Sequence, residues 1–320
     1  MGNYSRKTGA DGFERVTLQT PSIALTVVPE AGGKITQIID KRANYEWLWR
    51  NPALGLKNAS TDACYAQELD SGGWDEMLFS IDPCELPLSD GKQVRIPDHG
   101  DLVGRAWSLD ELRAEPNGDL VCALSADGHT LAYRFCRQIS LSPSADTIVL
   151  HYELRNADTC SWPFYWCAHA LFNANPALRL SIAGNPAIRP DESKQNFVAA
   201  GNWPRLGIDD LQTVELALPF AGRAFARKVF VRSPKDGCVQ LQHDNAKLSM
   251  QYEAAEFPWL GLWLNNQAWN GVGSEPYCNL GIEPVTAATD QLLDVINEPF
   301  TTWIEPGDVK SWSIRLAFAQ

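Results

Sequence analysis

The chain has 320 residues, of which 45% are hydrophobic and 21% charged; this is ordinary globular composition on a length that can bury a large core. A formal net charge of −12 argues against nucleic acid, which needs clustered Lys and Arg, and against anionic membrane surfaces; neutral small molecules remain the favoured partner class. The opening stretch MGNYSRKTGADG has no apolar segment and no run of about 18 apolar residues follows, so a cytoplasmic protein with no membrane partner is the expectation. The eight cysteines include no C-x-x-C pair, and several sit inside apolar runs, so they are read as reduced. Twelve tryptophans imply either a heavy aromatic core or flat walls for a ligand.

Period-2 alternation runs from end to end. Ile23, Leu25 and Val27 alternate with small or polar residues. A block from Leu120 to Leu154, broken by turns at Asp127-Gly128 and Pro143-Ser144, reads as a meander of four antiparallel strands. The segment 184–218 is the least regular and is expected to be a long loop over one face. Val229 and Val231, then Val239 and Leu241, then Leu248, Met250 and Tyr252 continue the strand pattern. The best helical signal is 289–297, with Thr289 as a possible N-cap. Trp312, Ile314, Leu316 and Phe318 close the chain as a strand. With no βαβ alternation, the expected class is all-β, a large antiparallel β-sandwich spanning 1–320 as one domain.

Four segments concentrate polar and aromatic residues. Ser71-Gly72-Gly73-Trp74-Asp75-Glu76 puts an indole beside two acids, which suits a sugar, and its paired glycines allow backbone to approach a ligand. The bland alternative is a strand-connecting turn with a buried Trp. Pro97-Asp98-His99-Gly100, followed by Arg105, offers an imidazole in a turn, where a histidine is more often simply solvated. His169 lies in the most apolar stretch, 164–173, where burial disfavours its charged form; a core histidine is the competing reading. Glu283 lies between apolar neighbours and before Pro284, either as an exposed strand-end acid or as a base facing a cleft. No metal-binding spacing, phosphate loop or dinucleotide fingerprint occurs, so neither metal nor cofactor is indicated.

In this order the segments resemble the aldose 1-epimerase (galactose mutarotase-like) family. The resemblance rests on Val28-Pro29-Glu30-Ala31-Gly32-Gly33-Lys34-Ile35, on His99-Gly100 with Arg105, on His169-Ala170-Leu171-Phe172-Asn173 and on Gly281-Ile282-Glu283-Pro284. It implies a twisted antiparallel sandwich with a sugar cleft, Glu283 as general base, His169 as general acid, and His99 holding a sugar oxygen. Trp74, Asp75 and Arg105 are the further substrate-binding candidates. Two departures stand out: many relatives carry an arginine near the Gly72-Gly73 segment, and the family's mid-chain aspartate has no clear counterpart, though Asp209 or Asp210 could serve.

The implied reaction interconverts the α and β anomers of an aldohexose by opening and reclosing its hemiacetal. It calls for a Glu283 with an apolar surround and for a His169 that starts protonated, with a nearby carboxylate offsetting its burial. Two other readings compete: a non-catalytic carbohydrate-binding protein of the same shape, and a polysaccharide hydrolase or lyase using two carboxylates among Asp75, Glu76 and Glu283.

Overall fold

Alternating apolar residues bury one face of a strand against another sheet, and two large sheets result. The computed structural model describes residues 2–60, 62–175, 177–184, 186, 188–190, 213–218, 224–273 and 275–319. Among them an eleven-stranded and a nine-stranded antiparallel sheet face one another, with two small two-stranded ribbons beside them. One apolar core fills the space between, and Trp47, Trp74, Trp162, Trp166 and Trp312 are fully buried. Tyr152 stacks on Trp312 at a centroid distance of 5.4 Å near its centre. The eight cysteines are all free thiols.

The nine-stranded sheet holds the block expected to be a four-stranded meander. That block forms three long strands instead, Leu120–Asp127, Tyr133–Ser142 and Thr147–Asn156, with Ser108–Ala114 on the outer edge. Tyr133–Ser142 runs unbroken through Arg137, which looks like a polar interruption in the sequence. Arg137 occupies the inward position between Phe135 and Ile139 and is fully buried. Its guanidinium meets Glu76 of the opposite sheet at 3.0 Å, also donates to the carbonyl of Gly33, and lies over the ring of Trp107. Glu76 accepts a second hydrogen bond, 2.9 Å long, from the Tyr152 hydroxyl. Burial, opposed by Arg137, pushes the Glu76 carboxyl up to about 7.

Two other expectations change. Segment 289–297 is not a two-turn helix; a single 3-10 turn, Leu292–Asp294, remains. Thr289 accepts a bond from the backbone of Gln291 and donates to Asp294, a local turn that competes with helix. The flanks of the expected 184–218 loop are strands, Ile188–Pro190 and Thr213–Leu218. The rest of that segment, with Asp209 and Asp210, lies outside the described residues.

Five strands at the centre of the larger sheet position everything that follows. Their spatial order is Trp74–Leu78, Trp166–Asn173, Cys278–Val285, Trp259–Asn266 and Phe225–Arg232. One face of this group closes the core, and the other faces away from the second sheet.

Removing one partner of the inter-sheet ion pair is expected to cost about 3–5 kcal/mol, because the other charge stays buried and unpaired. Urea unfolding of Arg137→Met checks this. The double variant Glu76→Leu/Arg137→Met should recover most of the loss, since a well-packed apolar pair often replaces a buried ion pair at little cost.

Candidate functional site

Cross-strand register assembles the site. His169 pairs directly with Asp75 on one side, and Glu283 pairs directly with Gly261. The registers Ala170↔Ile282 and Cys167↔Val285 bring the strands of His169 and Glu283 together. A neighbouring row joins Leu171 to Gly281, Gly281 to Trp263, and Trp263 to Lys228. Because side chains alternate along a strand, these two rows share one face.

A cavity of about 230 Å³ opens over that face, near the lower end of usual small-molecule sites. His169, Glu283, His99 and Lys228 line it, with Tyr65 and the half-exposed indoles of Trp263 and Trp269. The edge-to-face indoles supply flat apolar wall, their centroids 6.5 Å apart.

The imidazole and the carboxylate meet. His169 Nε2 lies 4.0 Å from Glu283 Oε1, too far for a hydrogen bond and close enough for one small molecule to touch both. Glu283 is fully buried, and its Oε1 has no hydrogen-bond partner. Its Oε2 accepts from the Lys228 ammonium, with the Cys167 thiol 3.7 Å away. The surround of Glu283 is therefore not the apolar one expected. Gly281 explains part of its placement: a Cβ there would lie 2.5 Å from Glu283 Oε1.

His169 is fixed from behind. The Tyr65 hydroxyl donates to Asp75 Oδ2 at 2.8 Å and lies 3.4 Å from His169 Nδ1. With the hydroxyl proton used on Asp75, hydrogen-bond logic assigns the imidazole proton to Nδ1 and leaves the Nε2 lone pair toward Glu283. Burial and the positive charges of His99, Lys228 and Lys34 hold His169 well below the usual histidine range. Burial and these cations work against the protonated His169 that the family resemblance calls for. A carboxylate does lie nearby, but Lys228 already neutralises it.

His99 arrives from a loop. Its φ of 62° and that of Gly100, 81°, are both left-handed. A Cβ on Gly100 would lie 2.3 Å from the carbonyl of Leu78, so only glycine fits there. His99 stacks on Tyr65 at 3.9 Å and bonds Asp98 through Nδ1 at 2.7 Å. Such a backbone conformation in a non-glycine residue persists where the surroundings enforce it.

Three sequence candidates fall outside the cavity wall. Trp74 points the opposite way, fully buried in the core, because strand alternation sets it on the face away from Asp75. The glycines before it approach protein backbone rather than a ligand: Cβ atoms on Gly72 and Gly73 would lie 2.3 and 2.5 Å from the carbonyls of Trp49 and Ile35. Asp75 stands behind the cavity, 2.6 Å from Lys34 Nζ, and carries Tyr65. Arg105 lines a separate depression with Trp107 and His129, 3.6 Å from Asp101. Asp101 anchors that loop by accepting from the backbone of His129 and Thr130. Glu76, one candidate for a second hydrolytic carboxylate, is committed to Arg137 in the core.

Lys228, Tyr65 and the two indoles are what sequence reasoning missed. The alternation itself carried a signal for Lys228. It sits between Ala226 and Phe230, on the cavity face of a strand whose same-face neighbours are buried.

No family model and no curated protein matches the sequence. Solved structures do share the fold. A galactose mutarotase-like protein from Clostridium acetobutylicum matches at 11% identity and a TM-score of 0.69, over 99% of this chain and 98% of that one. A galactose mutarotase-like protein from Lactobacillus casei matches at 15% and 0.64, over 95% and 99%. A Klebsiella pneumoniae protein provisionally named an aldose 1-epimerase matches at 13% and 0.70, over 100% and 84%. The chain has the galactose mutarotase-like fold.

The lowered His169 value fixes a sign. The unfolded chain takes up this proton near pH 6.5 and the native state only at lower pH, so the contribution of His169 to stability is present above 6.5 and is lost as pH falls below it. NMR titration of the imidazole signals should show the His169 midpoint well under 6.5.

Proposed function

We propose that the cavity binds an aldohexose and interconverts its anomers, with Glu283 as base and His169 as acid. The observation that carries this reading is the 4.0 Å spacing between His169 Nε2 and the unpartnered Glu283 Oε1 inside one small hollow. The anomeric hydroxyl and the ring oxygen of a hemiacetal share one carbon, so their proton acceptor and proton donor must converge in just this way. Glu283 removes the hydroxyl proton while protonated His169 delivers one to the ring oxygen. The bond from C1 to the ring oxygen breaks, leaving an aldehyde and a hydroxyl. Rotation about C1–C2 and closure with reversed roles gives the other anomer and restores both groups.

His99, held by Tyr65 and Asp98, is within the same wall and takes a sugar oxygen in this reading. Trp263 and Trp269 take the platform role first considered for Trp74, stacking on the apolar face of the ring. The wall's charge supports a neutral substrate. Asp70, Asp82, Asp98, Glu283 and Asp290 line the cavity; Lys228 is its ammonium, and no arginine lines it among the described residues. Burial pushes Asp70 up to about 6, which still leaves it mostly ionised at neutral pH. A phosphate or carboxylate on the sugar would face like charge.

A second reading is a sugar-binding protein without turnover. The environment of His169 favours it, since burial and the nearby cations work against the proton that the acid needs. Calorimetric binding with no faster anomerisation anywhere between pH 5 and pH 8 would establish it.

Polarimetry on freshly dissolved α-anomer tests the enzymatic reading. Glu283→Gln should lower the catalysed rate about 10²- to 10⁴-fold, the usual worth of one positioned proton transfer, with unchanged circular dichroism. A variant as fast as wild type removes Glu283 from the mechanism. Because the reacting form carries a proton on His169, kcat/KM should climb as pH falls from 7.5 toward 5.5, the opposite of a profile set by an ordinary carboxylate base alone. A hexose 6-phosphate or a uronate should react at least about tenfold more slowly than the neutral hexose, as like-charge contacts cost several kcal/mol.

A further inference from the structure

Lys228 is the most unexpected residue in the larger sheet. A lysine is almost never fully buried unless paired, and this one is 4% exposed between Ala226 and Phe230. Its ammonium pairs with Glu283 Oε2 and stands 3.4 Å from Asp290 Oδ1. Gly261, on the strand between Lys228 and Glu283, makes the contact possible. A Cβ at Gly261 would lie 3.1 Å from Glu283 Oε2 and 3.2 Å from Lys228 Cε. Burial works against the charge on Lys228, but Asp290 and Glu283 outweigh it and raise the lysine above its ordinary range.

Two consequences follow from this geometry. Holding Oε2 leaves Oε1 as the oxygen that faces His169, so the carboxylate meets the cavity in one orientation. The ammonium also offsets the negative charge of Glu283, which would otherwise draw a proton onto His169. The remaining groups around the imidazole leave this balance to Lys228. Asp75 is matched by Lys34 at 2.6 Å, and Asp98 is hydrogen-bonded to His99 Nδ1 at 2.7 Å. Tyr65 spends its proton on Asp75, and Cys167 is a buried thiol held far above its ordinary range by that burial. Asp70, Asp82 and Asp290 are the further carboxylates of the wall.

We propose that Lys228 is a positioning residue: through its pairing with Glu283 Oε2 it selects Oε1 as the reacting oxygen and withholds from His169 the counter-charge that would keep the imidazole protonated. This rests on the acid–base reading above. In it, Lys228 sets the pH at which the Glu283/His169 pair holds the single proton that anomerisation needs. The lysine touches neither reacting oxygen; it acts on the proton count of the pair.

The test compares Lys228→Met with Lys228→Arg in the full chain. Two quantities are followed between pH 5 and pH 9: the basic limb of kcat/KM for hexose anomerisation, and the NMR titration midpoint of His169. In Lys228→Met the imidazole gains Glu283 as an uncompensated neighbour, so both should move upward by at least about one pH unit, the usual effect of an opposite charge at 4–6 Å. Lys228→Arg keeps the cation and should leave both near the wild-type position. A Lys228→Met profile that falls evenly at every pH, with the limb and midpoint unmoved, overturns the proposal and leaves Lys228 a merely structural ion. Should Lys228→Met fail to fold, Lys228→Gln serves, because it removes the cation and keeps a polar group able to donate to Oε2; an upward shift supports the proposal and an unmoved midpoint overturns it. The NMR midpoint does not depend on turnover. Wild-type protein without anomerase activity at any pH would therefore refute the enzymatic reading, while the midpoint still decides what Lys228 does to His169.

Discussion

The cross-strand register of five central strands is the constraint on which the site depends. A strand sends alternate side chains to opposite faces, so a slip of one residue would exchange the cavity face for the core face. In Trp74–Leu78 that alternation sends Trp74 and Glu76 into the sandwich and Asp75 toward the cavity side. In Trp166–Asn173 it sets His169 opposite Asp75. In Cys278–Val285 it sets Glu283 opposite Gly261. Register in these strands is pinned on the core side by the Arg137–Glu76 pair and by large aromatics such as Trp166 and Trp312. Packing the core and aligning the reactive groups are thus one requirement, met by the same hydrogen-bonded ladders.

That same alternation decides what a sequence can disclose. The all-β class was legible because apolar residues recur at every second position from Ile23 to Phe318. The meeting of His169 with Glu283 rested on family resemblance, since nothing in the spacing of two residues 114 positions apart reveals that their strands are neighbours. Trp74 was misjudged because an indole beside two acids reads as one cluster, whereas consecutive strand residues face opposite ways. The glycines of the same segment were misjudged for a related reason. A glycine signals close approach, but the chain alone does not say to what, and at Gly72 and Gly73 it is the neighbouring backbone. Lys228 was missed because a single lysine in an apolar strand resembles an exposed one until its neighbours are known to be buried. Arg137 broke the reading of the meander in the same way.

Charges in the interior of this protein come in matched sets. Arg137 with Glu76, Lys34 with Asp75, and Lys228 with Glu283 and Asp290 each bring a cation into the sheet's interior with its carboxylate. Buried ions are tolerated only when paired and hydrogen-bonded. The three sets differ in what they leave over. The Arg137–Glu76 set lies in the core away from the cavity, with the Tyr152 hydroxyl and the Gly33 carbonyl as further partners. Asp75 passes its influence outward through Tyr65 to His169 and to the stacked ring of His99. Among the described residues, the Lys228 set opens onto the cavity, and there Glu283 Oε1 has no hydrogen-bond partner.

An unengaged buried carboxylate oxygen is costly; Asp75 Oδ1 and Glu76 Oε2 carry that cost away from the cavity wall, and Glu283 Oε1 carries it at the wall. A short apolar residue at 283 would remove the need for Lys228 and lessen the need for the two glycines that clear space around the side chain, Gly261 and Gly281. Four positions on three adjacent strands thus maintain one acceptor beside one imidazole. A ligand hydroxyl placed between them would supply the missing donor and replace water at the same stroke. In the proposed reading that hydroxyl would relieve the desolvation cost of Glu283 Oε1 on binding, so that part of the ligand's binding energy would come from a polar atom the fold itself leaves without a partner.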